Sequence, residues 1–318
     1  MKTVLDAIFG GTRSPKPAKK FTAFAIIGTS IALVLAILIL VISSIVFAVR
    51  DGSDSPAPSG DGGGNGGTGG GGGGFGNAQL GLVTTEFGAN QLYTGELIIV
   101  NDSTPLSQDS ANKDSLVSIN PLRPKVNDEY VYYMYNINFV ANETAIKAFN
   151  EMAVALNAET GDTDLYIKNA ATSGSAATSV FQTGLVFELY HYTEAPATEP
   201  MPNDGNYKWI YENAYKYGFV QLYPNIGMKA HVFRYIGVAH ATYMHNNSAS
   251  VATFEDYMAL LKQKSSTSPL NLGNKVFAFY IAKDATAYVS SKFAYTVSGN
   301  NIDGYIVTVD TSKALTSS

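Results

Sequence analysis

The chain contains no cysteine among its 318 residues. This absence excludes disulfide bonds, zinc sites built from thiolates, and any thiol nucleophile. Histidine is scarce as well, because four such residues leave few nitrogen ligands for a metal ion. The formal net charge is only −5 and no basic face is present, so nucleic acid is not expected as a partner.

Charge is missing altogether from residues 21–49, which are rich in Ile, Leu, Val and Ala. Because about 20 apolar residues cross a bilayer, this stretch predicts a transmembrane helix. A cleavable signal peptide has a shorter apolar core, of about 7–15 residues. Residues 1–20 carry five basic side chains against one acid, which predicts a cytoplasmic tail. The expected location is therefore the cell membrane, crossed once, with the C-terminal part outside the cell.

A glycine-rich linker is predicted over residues 51–79. Between Gly60 and Gly76, 13 of 17 residues are glycine. Such a chain cannot bury enough apolar surface to offset its backbone entropy, so a random coil is expected. The folded part begins near residue 80.

Alternating and helical apolar patterns divide the folded part into elements. Apolar residues at three- and four-residue steps predict a helix over 142–157, with Asn142 as its N-cap and Gly161 just past its end. Thr253 to Asp256 resembles a capping box that opens another helix. Further helices are predicted over 207–217 and 237–246, and strands over 92–101, 130–139, 164–168, 184–191, 276–282 and 304–309.

Three motifs carry a resemblance to a known family. Ser179 to Leu189 has the pattern Ser-x-Phe-x-x-Gly-x-Val-x-Glu, which resembles Ser-x-His-x-x-Gly-x-Ala-x-Asp of the VanY-type D-alanyl-D-alanine carboxypeptidases. Trp-x-x-Glu-Asn-Ala-x-x-Tyr-Gly-Phe, from Trp209 to Phe219, is similar to a scaffold motif of that family. Phe-Arg-Tyr-x-Gly, from Phe233 to Gly237, is similar to the end of its second metal motif.

The resemblance implies the fold class and the domain limits. It implies an α+β fold with a small central, mostly antiparallel sheet and flanking helices, of the D-Ala-D-Ala carboxypeptidase or hedgehog type, preceded by the transmembrane helix. The VanY-like carboxypeptidase domain is expected over 80–265. Residues 266–318 are expected to form a C-terminal β tail packed on or next to it.

The resemblance also implies zinc ligands, a general base and a substrate arginine, which this chain lacks. The family's three ligand positions hold Phe181, Glu188 and Val232, and its base position holds Lys229. Phenyl and isopropyl groups have no lone pair for a metal, so only Glu188 could coordinate zinc. Residues 169–178 contain no arginine for a terminal carboxylate. No catalytic residue, no metal ion and no cofactor is therefore expected.

His240 stands where the family often has a histidine packed inside the domain. A hydrogen-bonded structural role is expected for its side chain.

Three functions remain open. The first is an inactive pseudopeptidase that binds a peptidoglycan stem peptide, or a wall or membrane protein, in a groove near Ser179, Gln182, Glu188 and His231. The second is an active zinc D,D-carboxypeptidase with relocated ligands, namely Glu188, His191 and His231. The third is a structural protein whose tyrosine-rich surface contacts another membrane protein.

Overall fold

A computed structural model describes residues 77–315, except 114, 195 and 196. The predicted cytoplasmic tail, the predicted transmembrane helix over 21–49 and nearly all of the predicted linker lie outside the described residues. Within the described ranges, no helix is both long enough and apolar enough to cross a membrane. The transmembrane part of the predicted fold class is thus not supported.

The helices follow the predicted positions, with one short addition at the start. Asn142 caps the longest of them, because its Oδ1 accepts from the backbone N–H groups of Thr144 and Ala145. The α-helices of the described residues are α1 (Asn77–Leu80), α2 (Glu143–Thr160), α3 (Lys208–Asn213), α4 (Val238–Asn246) and α5 (Phe254–Lys262).

The strands are more numerous than predicted, particularly after residue 265. They are β1 (Leu82–Thr85), β2 (Leu116–Ser118), β3 (Lys125–Val126), β4 (Glu129–Tyr130), β5 (Tyr133–Met134), β6 (Val140–Asn142), β7 (Leu165–Asn169), β8 (Val186–Glu194), β9 (Ala197–Pro200), β10 (Phe219–Gln221), β11 (Val232–Tyr235), β12 (Leu270–Gly273), β13 (Val276–Ala282), β14 (Ala287–Ser290), β15 (Phe293–Gly299) and β16 (Gly304–Ala314).

The predicted fold class was wrong, because the described residues form a mixed α/β structure with five sheets and not one small central sheet. The largest sheet has the order β10-β11-β8-β7-β5, with β9 paired to the far end of β8. Its β5–β7 pair is parallel, whereas its other pairs are antiparallel. A second sheet has the order β12-β13-β16-β15. It forms because long antiparallel pairings between strands close in sequence satisfy their own backbone groups.

One face of the largest sheet packs against α2. Phe149 on α2 stacks on Phe187 of β8 at a ring distance of 5.0 Å and meets the ring edge of Phe219 of β10 at 6.2 Å. All three rings are buried. Burying a large apolar side chain stabilises a fold by about 1.5–3 kcal/mol, so this contact is a main source of stability for the sheet.

The other face of the β8–β11 pair packs against a second apolar cluster. Val186 and Val232 share this cluster with Phe254 of α5 and with Ile306 of β16. The strands that bear the predicted site therefore contact α2 through one face of the sheet, and α5 and the C-terminal strand β16 through the other.

The predicted strand over 92–101 was wrong. Ala89–Tyr93 forms a 3-10 helix, and the residues that follow form a bend at Gly95, a turn at Glu96 and Leu97, and irregular structure without a ladder. Their partners are scattered: the Leu97 N–H donates to Ser298 Oγ at 2.9 Å and Arg234 Nη2 donates to the Ile98 carbonyl at 2.6 Å. Because these partners lie more than 130 residues away along the chain, local composition could not indicate them.

Candidate functional site

The candidate site centres on the pairing of β8 with β11. In this antiparallel pair, Val232 lies directly opposite Glu188, and Phe233 lies opposite Phe187. Directly opposed residues point to the same face of a sheet. Two of the three ligand positions implied by the resemblance are therefore neighbours, and one of them carries only hydrocarbon.

Phe181, at the remaining ligand position, contributes to the apolar packing. It lies in the 3-10 helix Val180–Thr183 just before β8, is partly buried, and packs against the cluster that contains Val186 and Val232. The turn into β8 closes at Gly184, which has a φ of 70°. The local fold thus directs the phenyl ring into the same apolar region as Val232.

Glu188 has a polar partner in His231, another residue of the predicted groove. His231 Nε2 lies 3.3 Å from Glu188 Oε1, and the His231 side chain is only 4% exposed while that of Glu188 is 24% exposed. The His231 and Tyr190 rings are nearly perpendicular, with their centres 5.3 Å apart. Burial, and then the charge of Glu188, raise the pKa of Tyr190. The structure therefore builds a polar cluster from Glu188, His231 and Tyr190.

The position of His231 explains this contact. His231 lies in a turn immediately before β11, so the strict side-chain alternation of a strand does not apply to it. Sequence reasoning could place Val232 by its register but could not orient a residue outside the strand.

The relocated zinc ligand set is not brought together. Side chains alternate along β8, so His191 points to the face opposite to Glu188, where its ring lies 5.0 Å from the Tyr207 ring. In the part of the chain that the structure describes, no three His, Asp or Glu side chains lie close enough to hold a metal ion. A catalytic zinc needs three protein ligands, so the residues present do not fit one.

The predicted groove residues divide between two places. Ser179 begins the 3-10 helix before β8, and its carbonyl accepts from the Gln182 N–H at 3.0 Å. Gln182 lines a polar cavity of about 410 Å³ together with Lys113 and Thr172, a lining that includes neither Glu188 nor His231. Glu188 and His231 are thus close together, whereas Gln182 contributes to a different cavity.

Lys229, at the position of the family base, is exposed in the 3-10 helix Gly227–Lys229. Its ammonium group lies 5.2 Å from the centre of the Tyr223 ring. A charged ammonium group cannot accept a proton, so nothing in its position restores the role of a base.

Sequence reasoning missed the residues that continue the site along the sheet. The Lys168 ammonium group of β7 lies 4.4 Å from the Tyr135 ring and 5.4 Å from the Tyr190 ring. Tyr192 lies two residues beyond Tyr190 and so on the same face, with its ring 5.4 Å from that of Tyr133. Tyrosines at alternate positions of β8 were the sequence signal for this face, which extends from the Glu188–His231 pair.

Comparison with known proteins supports the resemblance. No family profile matches the chain. A D-alanyl-D-alanine carboxypeptidase from Enterococcus faecium is 29% identical over 254 residues, which cover 73% of this chain and 80% of that protein. Among solved structures, the vancomycin-resistance D,D-dipeptidase VanXYg in complex with a D-Ala-D-Ala phosphinate analogue aligns with a TM-score of 0.56 at 19% identity. That alignment covers 72% of this chain and 98% of the dipeptidase, so the two share a fold.

Proposed function

The chain belongs to the VanY-type D-alanyl-D-alanine carboxypeptidase family, and on that premise we propose that it binds peptidoglycan stem peptides without cleaving them. It is a carboxypeptidase-like protein of the cell wall. The proposed location is the outer side of the cell membrane, which rests on the uncharged stretch 21–49 and the basic residues before it.

One observation supports binding without hydrolysis. Val232 faces Glu188 across the β8–β11 pair, so the place opposite the one remaining oxygen ligand holds a hydrocarbon side chain. With Phe181 in the apolar cluster, the three family ligand positions do not supply the metal ligands needed to polarise a peptide carbonyl and activate water.

Binding is supported by the polar groups that remain on this face. Glu188 can accept hydrogen bonds from peptide N–H groups, and His231 orients its carboxylate from one side. The half-buried Lys168 side chain lies near the rings of Tyr135 and Tyr190, and its ammonium group supplies a positive charge on this face. A peptide that ends in D-Ala-D-Ala offers both complementary groups, amide N–H donors and a terminal carboxylate.

The test is equilibrium titration of the full-length protein with a pentapeptide that ends in D-Ala-D-Ala, in the presence of a metal chelator. Saturable binding with a Kd between about 1 μM and 1 mM is expected. Glu188→Gln should weaken this binding by about tenfold, because it removes a charge-assisted hydrogen bond. Glu199→Gln, an exposed carboxylate on the neighbouring strand β9, is the matched control and should bind normally. The absence of saturation at millimolar peptide would reject the proposal.

A separate assay tests the lack of hydrolysis. The rate of D-alanine release from the same peptide should equal the rate measured in buffer without the protein, with or without added zinc. One bound equivalent of zinc together with steady D-alanine release would show instead an active enzyme with a rebuilt site.

A second candidate function, docking to another protein, is favoured by exposed side chains near the tyrosines of β5 and β8. Tyr135 and Ile137 are each 67% exposed. Cross-linking on intact cells should join the unchanged protein to a specific partner, and Tyr135→Ser should reduce that product. A protein that only binds stem peptides needs no such partner.

A further inference from the structure

A cavity of about 370 Å³ lies beside the start of α4 and the strands β15 and β16. Its lining includes Glu96, Tyr235, His240, Tyr295 and Asp310, and none of the residues of the Glu188–His231 cluster. Cavities of this size hold small organic ligands.

Glu96 is the lining residue whose charged group has no partner among the described residues. Among the described residues, no hydrogen bond or ion pair to its carboxylate is present, although its backbone carbonyl accepts from Arg234 Nη2 at 3.0 Å. The backbone is therefore anchored while the charged group faces the cavity. The carboxylate lies so near Gly237 that a β-carbon there would come within 3.0 Å of Oε2. Burial raises the pKa of Glu96, as expected for a carboxylate without a partner.

The other titratable groups of the lining are already paired or neutral. Asp310 Oδ2 lies 3.0 Å from the Lys313 ammonium group, so those two charges compensate each other. His240 uses both ring nitrogens, at 2.6 Å from the Tyr257 hydroxyl and 2.9 Å from Thr308 Oγ1. Burial lowers the pKa of His240 to about 4, so its ring is neutral at pH 7. Lys313 also lines the cavity, so the lining carries Glu96, Asp310 and Lys313 and keeps a net charge of one negative unit, that of Glu96.

Two aromatic residues also line the cavity. Tyr235 is buried and Tyr295, at 37% exposure, lies at the protein surface. The face of an aromatic ring attracts a cation, and the half-buried carboxylate of Glu96 gains from a partner of opposite charge. A divalent metal ion would need several oxygen ligands, whereas one free carboxylate suffices for an ammonium group.

We propose that this cavity is a binding site for a primary ammonium group carried by a small organic ligand, with Glu96 as the anion and Tyr235 and Tyr295 as the aromatic walls. The site is independent of the proposed stem-peptide site, because the two share no described residue.

The probe is n-butylammonium chloride, titrated into the full-length protein by isothermal calorimetry, with 1-butanol as the neutral ligand of the same shape. Saturable binding in the millimolar range is expected for the amine, and at least tenfold weaker binding for the alcohol. Glu96→Gln should weaken amine binding at least tenfold. Glu159→Gln, which removes an exposed carboxylate of α2, should leave it unchanged.

Two further variants keep the test decisive if Glu96→Gln folds poorly. Tyr295→Ala removes a partly exposed ring and should weaken amine binding about threefold to tenfold. Glu188→Gln should not change it, which separates this site from the stem-peptide site. Equal affinity for amine and alcohol, or no saturation by about 10 mM amine, would overturn the proposal.

Discussion

At the scale of single residues, the buried histidine His240 has a structural role. His240 lies in the core, and its two ring nitrogens contact hydroxyl groups of Tyr257 and Thr308. The structural role expected for it is thereby confirmed. Burial lowers its pKa from 6.5 to about 4, because a charged imidazolium ion is poorly solvated there.

This shift predicts a dependence of stability on pH. Between pH 6.5 and about 4, the unfolded chain binds a proton at His240 that the folded chain does not. The free energy of unfolding should therefore rise with pH through this window, and the contribution of His240 should be lost as the pH falls, by roughly 3 kcal/mol in total. Urea unfolding at pH 4 and pH 7 would measure it.

The control for this prediction is His240→Gln, which keeps a polar side chain but cannot titrate. The difference in unfolding free energy between pH 4 and pH 7 should shrink in the variant. An equal pH dependence in both proteins would show that other groups account for it.

At the scale of elements, the turn that leads into β8 depends on close backbone contact. Gly184 has a φ of 70°, and a β-carbon there would lie 2.2 Å from a Leu116 methyl carbon and 2.7 Å from the Asn142 backbone nitrogen. Gly161, at the end of α2, has almost the same φ of 73° but no atom within 4 Å of such a β-carbon. The two glycines share a conformation and differ in packing.

Alanine substitutions at these positions should separate the two effects. Gly161→Ala should destabilise the protein by about 1 kcal/mol, which is the cost of a left-handed conformation for an L-residue. Gly184→Ala should cost about 1–3 kcal/mol more, because the added methyl group meets backbone atoms that cannot move freely. The free energies of unfolding in urea give both values, and equal losses would contradict the close packing at Gly184.

At the scale of the whole described unit, the C-terminal strands hold the first folded segment in place. Ser298 accepts from the Leu97 N–H, and the buried side chain of Asn301 donates to the carbonyls of Ile99 and Pro105. Ile306 shares an apolar cluster with Val186 and Val232 of the site strands. The region after residue 265 therefore packs against the strands of the candidate site and stabilises them.

Truncation tests this dependence. A chain that ends at residue 265 should lose cooperative unfolding, because it exposes the apolar cluster and leaves the 97–101 backbone without partners. Far-ultraviolet circular dichroism and tryptophan fluorescence should then give no coincident transition. A chain that ends at Leu315 is the control and should unfold like the full-length protein. Cooperative unfolding of the shorter chain would show that residues 80–265 fold alone.

Much of the helical structure could be predicted from the sequence, because its determinants are local. The apolar spacing of α2 and its Asn142 cap are confirmed, and so is the capping box in which Thr253 and Asp256 exchange hydrogen bonds at the start of α5. Strand β13 was predicted with its observed limits, Val276–Ala282. The helix caps depend on contacts within a few residues along the chain, whereas β13 is recognised by its own run of apolar residues although it pairs with the distant strand β16.

The candidate site could be predicted only in part. The motif around Glu188 indicated the right strand pair, since the aligned positions Glu188 and Val232 face each other. The contact of His231 with Glu188 depends on a turn, and the aromatic face depends on how β7 lies beside β8. Neither arrangement has a local sequence pattern.

The amino-acid sequence by itself determined the family resemblance, the amphipathic helices and the loss of lone pairs at positions 181 and 232, since these follow from residue type and spacing. Only the tertiary structure decided the number of sheets, the partners of residues 92–101, the Glu188–His231 contact and the unpaired carboxylate of Glu96. The physical reason is that hydrogen bonds and charges between residues distant in sequence depend on which surfaces meet after the chain has folded.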